Sequence, residues 1–106
     1  MRNLLRRYEV LLPVRFNDGR RVPKSWLARA FNEVVDHFGA ASYECQAVEG
    51  KWRNGRKVFR DYLSRIIVDV PDTPESRRWM RQFKSRWKVR LDQLELWMVS
   101  YRIDVE

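Results

Sequence analysis

The sequence predicts an α+β domain of the ferredoxin-like, or split βαβ, class, in which a four-stranded antiparallel sheet carries both helices on one face. Three observations predict it. Two stretches repeat apolar residues at three- and four-residue spacing, as helices do, and four stretches alternate apolar with polar residues, as strands do. An Asn-Gly pair lies between the two middle strands. Because the chain has 106 residues without a linker or repeat, we expect one domain over residues 1–106.

The first strand and the first helix have clear boundaries. Apolar residues alternate from Tyr8 to Phe16, and the turn-forming sequence Asn17-Asp18-Gly19 ends the strand. The helix is predicted over Pro23–Phe38, because proline is tolerated in a first turn and Gly39 can adopt the left-handed conformation that closes a helix. Its apolar face consists of residues at helical spacing, namely Leu27, Ala30, Phe31, Val34 and Phe38.

A long hairpin is predicted next, because Ala41–Trp52 and Val58–Val70 flank the sequence Asn54-Gly55. A two-residue turn there gives three cross-strand pairs: Arg53 with Arg56, Tyr43 with Ile66, and Glu44 with Arg65. A bulge near Arg60-Asp61 would shift this register by one residue.

The second helix is predicted over Pro74–Asp92, with Thr73 as N-cap and Glu75 at the positive end of the helix dipole. Its apolar face is formed by Trp79, Met80, Phe83, Trp87 and Leu91. A stripe of cations at the same spacing runs beside that face and consists of Arg77, Arg81, Lys84 and Lys88. This stripe is predicted to dock an acidic partner or the phosphates of a nucleic acid.

The last strand alternates from Leu94 to Val105, and we expect Trp97, Val99 and Tyr101 to face the helices. The opposite face of the sheet would then carry an apolar cluster formed by Leu11, Leu63, Ile67, Leu96 and Met98. An apolar cluster on a face without helices favours a partner surface, either for self-association or for a larger protein complex. The alternative is that these residues are scattered singly and merely tolerated.

The net charge of +8 indicates the kind of partner that the protein binds and not its fold. A basic hairpin, with Trp52 and Phe59 interleaved, has the composition of a nucleic-acid surface, and its cations are Lys51, Arg53, Arg56 and Lys57. The third strand lacks the Gly-aromatic signature of the RNA-binding domain that shares this element order. The sequence therefore favours a non-catalytic binding or assembly module with an acidic protein partner, and keeps RNA or DNA binding as the alternative.

Few residues could carry chemistry. His37 is the single histidine and is predicted to be a solvated helix residue, while Cys45 is predicted to be a buried structural thiol. The carboxylates are spread along the chain beside arginines, so no acid–base pair, nucleophile motif or metal-ligand cluster is expected. We therefore expect no cofactor and no metal, and no enzymatic activity unless a site is built across a dimer interface. No apolar run is long enough to cross a membrane, and a lone cysteine cannot form an intrachain disulfide, which favours the cytoplasm.

Four short motifs resemble those of a family of small uncharacterised bacterial proteins with a Gly-x-Trp hairpin. They are Gly50-Lys51-Trp52-Arg53, Asp72-Thr73-Pro74-Glu75, Phe83-Lys84 and Leu96-Trp97-Met98-Val99-Ser100-Tyr101. The resemblance covers nearly the whole chain and implies one compact α+β domain of bacterial or phage type. It implies no activity, cofactor or site residue.

Overall fold

The computed structural model describes residues 4–106, with the side chains of all but Gln46, Ala47 and Phe59. Six elements follow in the order β1 (Leu5–Pro13), α1 (Lys24–Phe38), β2 (Ser42–Asn54), β3 (Lys57–Pro71), α2 (Pro74–Arg90) and β4 (Met98–Ile103). The predicted α+β class, with two helices and an antiparallel sheet, is confirmed. The prediction that the Phe59 ring contributes to a basic hairpin surface lies outside the described side chains.

The four strands form one antiparallel sheet in the order β2-β3-β1-β4. The central pair, β1 and β3, is in register from Leu5 opposite Pro71 to Pro13 opposite Leu63. On its other side β1 pairs with β4, from Leu5 opposite Ile103 to Val10 opposite Met98. Strands β2 and β4 are therefore the two edges of the sheet.

The hairpin register contains two differences from prediction that cancel. The turn consists of Gly55 and Arg56 rather than Asn54 and Gly55, so Asn54 lies opposite Lys57. Gly55 has φ of 63° and no described non-glycine residue of the hairpin has positive φ, as a turn with glycine in its first position requires. A bulge between Glu44 and Val48, not at Arg60-Asp61, then restores the predicted register. The pairs Tyr43 with Ile66 and Glu44 with Arg65 are confirmed.

Both helices pack on the same strand face. One hydrophobic core contains alternate residues of β1 and β3 together with residues of both helices, namely Tyr8, Val10, Leu12, Leu27, Ala30, Val34, Ile66, Val68, Val70, Met80, Phe83 and Trp87. Trp87 and Phe83 of α2 are the largest fully buried side chains among the described residues, and burying each is worth roughly 1.5–3 kcal/mol. The Trp87 indole N–H donates to the Glu33 carboxylate at 2.9 Å, which ties α2 to α1.

The ends of the helices follow from local chemistry. The Thr73 hydroxyl accepts a hydrogen bond from the Ser76 amide at 3.2 Å, which confirms Thr73 as the N-cap of α2. Helix α2 ends at Arg90, two residues before the predicted end, and Asp92 follows with φ of 52° in the left-handed region. Gly39 closes α1 with φ of 90°. Within residues 4–106, no helix combines the length and the apolar character that crossing a membrane requires.

Candidate functional site

The sheet face opposite the helices carries a polar centre. Because strand residues alternate between faces, burial of Tyr8, Val10 and Leu12 directs Glu9 and Leu11 to the other side. The same alternation places Arg65 of β3 beside Glu9, and the register of β4 places Tyr101 on this face as well. We call this surface the open face.

The structure corrects the predicted faces of β4. Leu96 is 2% exposed and belongs to the hydrophobic core, and Met98 packs against that core. Both were predicted to lie on the open face, but Met98 pairs with the inward-facing Val10. Trp97 and Tyr101, predicted to face the helices, lie on the open face instead. The error is a shift of one residue in β4, which exchanges the two faces of a strand.

The other residues predicted for the apolar partner surface lie where expected. Leu11, Leu63 and Ile67 are on the open face and are half-buried. They lie around the polar side chains of Glu9 and Arg65, however, and do not form a purely apolar cluster.

Three side chains form a hydrogen-bonded network at the centre of the open face. The Tyr101 hydroxyl donates a short hydrogen bond to Glu9 Oε2, and Arg65 donates to Glu9 Oε1 at 3.4 Å. The hydrogen bond with Glu9 raises the pKa of the Tyr101 hydroxyl, so Tyr101 is protonated at neutral pH. The Nε of Arg65 is buried and has no hydrogen-bond partner among the described residues. Beside this network Arg7 and Asp69 form a two-bond ion pair at 2.8 and 3.0 Å.

A concave site continues from this network along the sheet. Its volume is about 750 Å³. Its walls are Leu11, Pro13, Phe16, Trp52, Tyr62, Leu63, Leu96 and Trp97, with polar groups from Arg15, Asn17, Arg60, Asp61, Gln93 and Glu95. We call it the aromatic groove. Leu11 and Leu63 are two residues from Glu9 and Arg65 along their strands, which is roughly 7 Å, so the groove and the network adjoin.

Two carboxylates of the aromatic groove are held in place. The Trp52 indole N–H donates to Asp61 Oδ2 at 2.9 Å. Lys84 lies 2.9 Å from Glu95, and this hydrogen bond lowers the pKa of Glu95, so Glu95 is ionised at neutral pH. The groove therefore combines aromatic rings with two carboxylates and two guanidiniums, those of Arg15 and Arg60, a composition suited to an aromatic ligand with polar groups.

A second concave site lies between α2 and the end of β4. Its volume is about 840 Å³, and it is lined by Asp72, Thr73, Pro74, Arg77, Arg78, Arg81, Gln82, Ser85, Arg86 and Arg102. We call it the arginine groove. Asp72 is the single carboxylate among the lining residues, and it accepts hydrogen bonds from Arg6 and Arg102, each at 2.9 Å. The pKa of Asp72 is lowered, and the hydrogen bond from Arg6 is the main cause. Among residues 4–106, Arg77, Arg78 and Arg81 form no ion pair, so the groove keeps a surplus of positive charge.

The predicted cationic stripe of α2 is divided. Arg77 and Arg81 lie in the arginine groove, but Lys84 pairs with Glu95 at the aromatic groove. Lys88 is half-buried and lines neither groove. Arg78 and Arg86 were not part of the predicted stripe, but both line the arginine groove.

The hairpin cations are all exposed, and they are Lys51, Arg53, Arg56 and Lys57. None of these four lines either groove. Their predicted contact with anions or nucleic acid stays a prediction.

Cys45 is exposed rather than buried, because it lies on the edge strand β2 just where the bulge interrupts the ladder. His37 is exposed, as predicted, and its ring stacks on Trp79 with centroids 4.4 Å apart. In the part of the chain that the structure describes, no three His, Cys, Asp or Glu side chains converge as a metal site would need.

Hydrophobic alternation did not predict the contact among Glu9, Arg65 and Tyr101. Their cross-strand proximity depends on the β4 register, which hydrophobic alternation left ambiguous because both faces of that strand carry apolar residues. The chain order of β1, β3 and β4 could have brought Glu9 and Arg65 together, since adjacent strands in this topology place them side by side.

Comparison with known proteins gives a structural match but no family. No family model matches the chain, and no curated protein matches it. Among solved structures, a phage SAM lyase in complex with S-methyl-5′-thioadenosine matches with a TM-score of 0.70 and 10% sequence identity. The match covers 99% of this chain and 93% of that chain, so the two share a fold over almost their full lengths.

This comparison corrects the functional prediction. The sequence favoured a non-catalytic binding or assembly module, with nucleic-acid binding as the alternative, and expected no enzymatic activity. The structurally similar chain is an enzyme of nearly the same extent, which contradicts both expectations. Contiguous sequence motifs could not reveal the polar network or the aromatic groove, because both are assembled from residues that are far apart in the sequence.

Proposed function

We propose that this protein is an enzyme that cleaves S-adenosylmethionine (SAM) without water and releases S-methyl-5′-thioadenosine. The observation that carries the proposal is the full-length structural similarity to a phage SAM lyase. The aromatic groove and the Tyr101–Glu9–Arg65 network support it, because together they offer a concave, partly apolar site with adjoining polar groups.

The chemistry of the cleavage defines what the site must do. The sulfonium of SAM carries a methyl group, the adenosyl group and an aminobutyrate chain. S-Methyl-5′-thioadenosine forms when the bond from sulfur to Cγ of that chain breaks and both electrons stay on sulfur. Without water, Cγ must receive electrons from its own fragment. Either the substrate carboxylate attacks Cγ and closes a lactone, or a base removes a Cβ proton and a C=C bond forms.

The aromatic groove suits the nucleoside half of this substrate. Trp97 is 65% exposed, so its ring is available for contact with a purine, and Trp52 lines the same groove. Base stacking on an aromatic side chain contributes roughly 1–3 kcal/mol. Asp61 and Glu95 are acceptors for ribose hydroxyls, and the aromatic faces of the groove attract a sulfonium cation.

The open-face network suits the amino-acid half. Glu9 and Arg65 present a carboxylate beside a guanidinium, which is the complement of a substrate ammonium and carboxylate. Arg65 donates only to Glu9 among the described residues and its side chain is partly exposed, so its other terminal N–H groups can bind the substrate carboxylate. In this arrangement the two residues orient the aminobutyrate chain while the Tyr101 hydroxyl holds Glu9.

The apolar lining supports the rate of either route. Both disperse the sulfonium charge in the transition state, and lactone closure also consumes the carboxylate charge. Charges that vanish along a reaction are stabilised less by an apolar wall than by water, so Leu11, Leu63 and Trp97 lower the barrier by excluding water.

For the fold we propose a ferredoxin-like variant. The element order βαββαβ and the strand order β2-β3-β1-β4 support this assignment, and so does the packing of both helices on one sheet face. The long, bulged hairpin is the departure from a regular member. We keep the cytoplasm as the proposed compartment, and the resemblance to the small bacterial Gly-x-Trp proteins remains a prediction.

The proposal is tested by incubating the purified protein with SAM and separating the products by liquid chromatography with mass detection. We expect S-methyl-5′-thioadenosine to appear in step with the loss of SAM. S-Adenosylhomocysteine should remain intact, because its neutral sulfur is a poor leaving group. If the folded wild-type protein releases no S-methyl-5′-thioadenosine from SAM, the proposal is wrong.

The site assignment is tested with Glu9→Gln, which removes one charge and keeps the shape of the side chain. We expect cleavage to fall about 10- to 10²-fold, because the ammonium of the substrate loses its charged partner and such a contact contributes roughly 1.5–3 kcal/mol. Glu49→Gln is the matched control, since Glu49 is an exposed carboxylate on the edge strand β2. Equal effects of the two substitutions would show that the site lies elsewhere.

A further inference from the structure

The two edges of the sheet are protected to different degrees. Strand β2 carries charged side chains from Glu44 to Arg53, and a bulge interrupts its ladder, which are two ways in which proteins block strand addition. Strand β4 has no bulge in its pairing with β1 and little charge. Its sequence, Met-Val-Ser-Tyr-Arg-Ile, contains one charge, and within residues 4–106 it pairs only with β1.

The backbone of β4 offers free hydrogen-bonding groups to an added strand. The Leu11 amide donates to the Trp97 carbonyl at 2.9 Å, so Trp97 belongs to a hydrogen-bonded pair with β1. Such pairs alternate along an antiparallel ladder, so Val99 and Tyr101 also point their backbone groups towards β1. The N–H and C=O groups of Met98, Ser100 and Arg102 therefore point outwards, away from the sheet.

The arginine groove lies beside this free edge. Arg102 of β4 lines the groove together with Arg77 and Arg81 of α2, so the edge and the cationic helix face adjoin on the helix side of the sheet. On the other side of the same edge lie Val99 and Tyr101, which are 37% and 43% exposed. A strand added to β4 would meet cations on one face and apolar groups on the other.

We propose that the β4 edge binds an extended segment of a partner protein in which acidic and apolar residues alternate. The segment adds to the sheet as a fifth strand through the outward backbone groups of β4. Its acidic side chains contact Arg77, Arg81 and Arg102, and its apolar side chains cover Val99 and Tyr101.

A protein segment fits this surface better than other polyanions do. The described residues that line the arginine groove include no aromatic ring on which a nucleobase could stack. Nucleic acids and polyphosphates also lack the backbone N–H and C=O groups that would pair with the edge of β4. A peptide strand satisfies the edge and the arginines together.

The test uses a fluorescein-labelled peptide of alternating Glu and Val, followed by fluorescence polarisation at physiological salt. The comparison peptide has the same composition with the Glu and Val residues in separate blocks. We expect the alternating peptide to bind more tightly than the block peptide, because only alternation separates the two side-chain types onto opposite faces of a strand. A duplex DNA of equal charge serves as the polyanion reference.

Two pairs of variants separate the contributions of charge and edge. Arg77→Glu with Arg81→Glu should weaken binding of the alternating peptide about tenfold or more, while the exposed pair Arg53→Glu with Arg56→Glu, of equal net charge, leaves it unchanged. Ser100→Pro should also weaken binding, because it removes an outward N–H that β1 does not use. Ser100→Ala is its control and loses only the hydroxyl that accepts from Arg6.

Several outcomes would overturn the proposal. Equal loss in the two arginine pairs would mean that net charge alone attracts the peptide. Unchanged binding in a folded Ser100→Pro protein would exclude strand addition. Tighter binding of DNA or of the block peptide would assign the surface to a different class of polyanion. SAM cleavage is measured on the same variants without peptide, so failure of this proposal and failure of the lyase proposal can be distinguished.

Discussion

The aromatic groove and the arginine groove have similar volumes, about 750 and 840 Å³, but their walls are built differently. The aromatic groove rests on paired strands, and its floor includes Leu96, a residue of the hydrophobic core. The arginine groove is walled by long exposed side chains of α2 and by Arg102. Rigid walls favour a small ligand of defined shape, whereas mobile cationic walls favour an extended acidic one. Substitutions in one groove can therefore test its role without altering the other groove.

The largest effect is expected from Leu96→Ala, because Leu96 joins the aromatic groove to the core. Truncating a fully buried leucine costs roughly 2–5 kcal/mol of unfolding free energy. Leu94→Ala is the control, since Leu94 is 97% exposed and its truncation should change stability by less than about 0.5 kcal/mol. Urea denaturation measures both. Similar losses would contradict the structural assignment of the two leucines.

A smaller effect, on affinity rather than stability, is expected from Trp97→Ala. Loss of a stacking surface should weaken binding of S-methyl-5′-thioadenosine by roughly 1–3 kcal/mol, which calorimetry would detect. Arg78→Ala, in the arginine groove, should leave that affinity unaltered. If Arg78→Ala has the larger effect, the nucleoside binds in the arginine groove and not in the aromatic groove.

Gly55→Ala tests the left-handed conformation of the turn in the hairpin that carries Trp52 and Asp61. Gly55 has φ of 63°, and an L-residue with a side chain there costs about 1–2 kcal/mol. Nothing lies within 4 Å of an added Cβ, so the cost is conformational and not steric. Thermal unfolding followed by circular dichroism should show a lower midpoint, with peptide binding at the arginine groove preserved.

The smallest effect concerns pH and Asp72, the carboxylate of the arginine groove. Hydrogen bonds from Arg6 and Arg102 lower the pKa of Asp72 below its ordinary value of 3.8, so its contribution to stability is present above that value and is lost as pH falls through the lowered pKa. Asp72→Asn should therefore unfold more easily than the wild type at pH ~7, and the difference should shrink below pH ~4. Thermal melts across this range measure it. A difference that is independent of pH would point to lost packing.

The contrast between the grooves also shows what could be predicted from sequence. Helical spacing brought Arg77 and Arg81 to one edge of α2, because residues four apart on a helix are neighbours whatever the tertiary structure. The aromatic groove depends on which face of β4 turns inwards. Leu96, Met98, Trp97 and Val99 are all apolar, so alternation alone could not decide.

The register that decides the faces of β4 is set by pairing with β1, a strand more than eighty positions earlier in the chain. The hairpin, by contrast, was largely predictable because its pairing is local, and even there the turn was misplaced by one residue. The element order and the two apolar helix faces needed no long-range information and were predicted correctly.

The unprotected edge of β4 has a consequence for the behaviour of the protein at high concentration. Two copies that paired through their β4 edges would bring two sets of Arg77, Arg81 and Arg102 into proximity. Like charges that meet in this way repel, so the arginines act against edge-to-edge aggregation of the protein with itself. Salt screens that repulsion. Concentrated samples should therefore stay dispersed better at low ionic strength, contrary to the usual practice of adding salt to a basic protein.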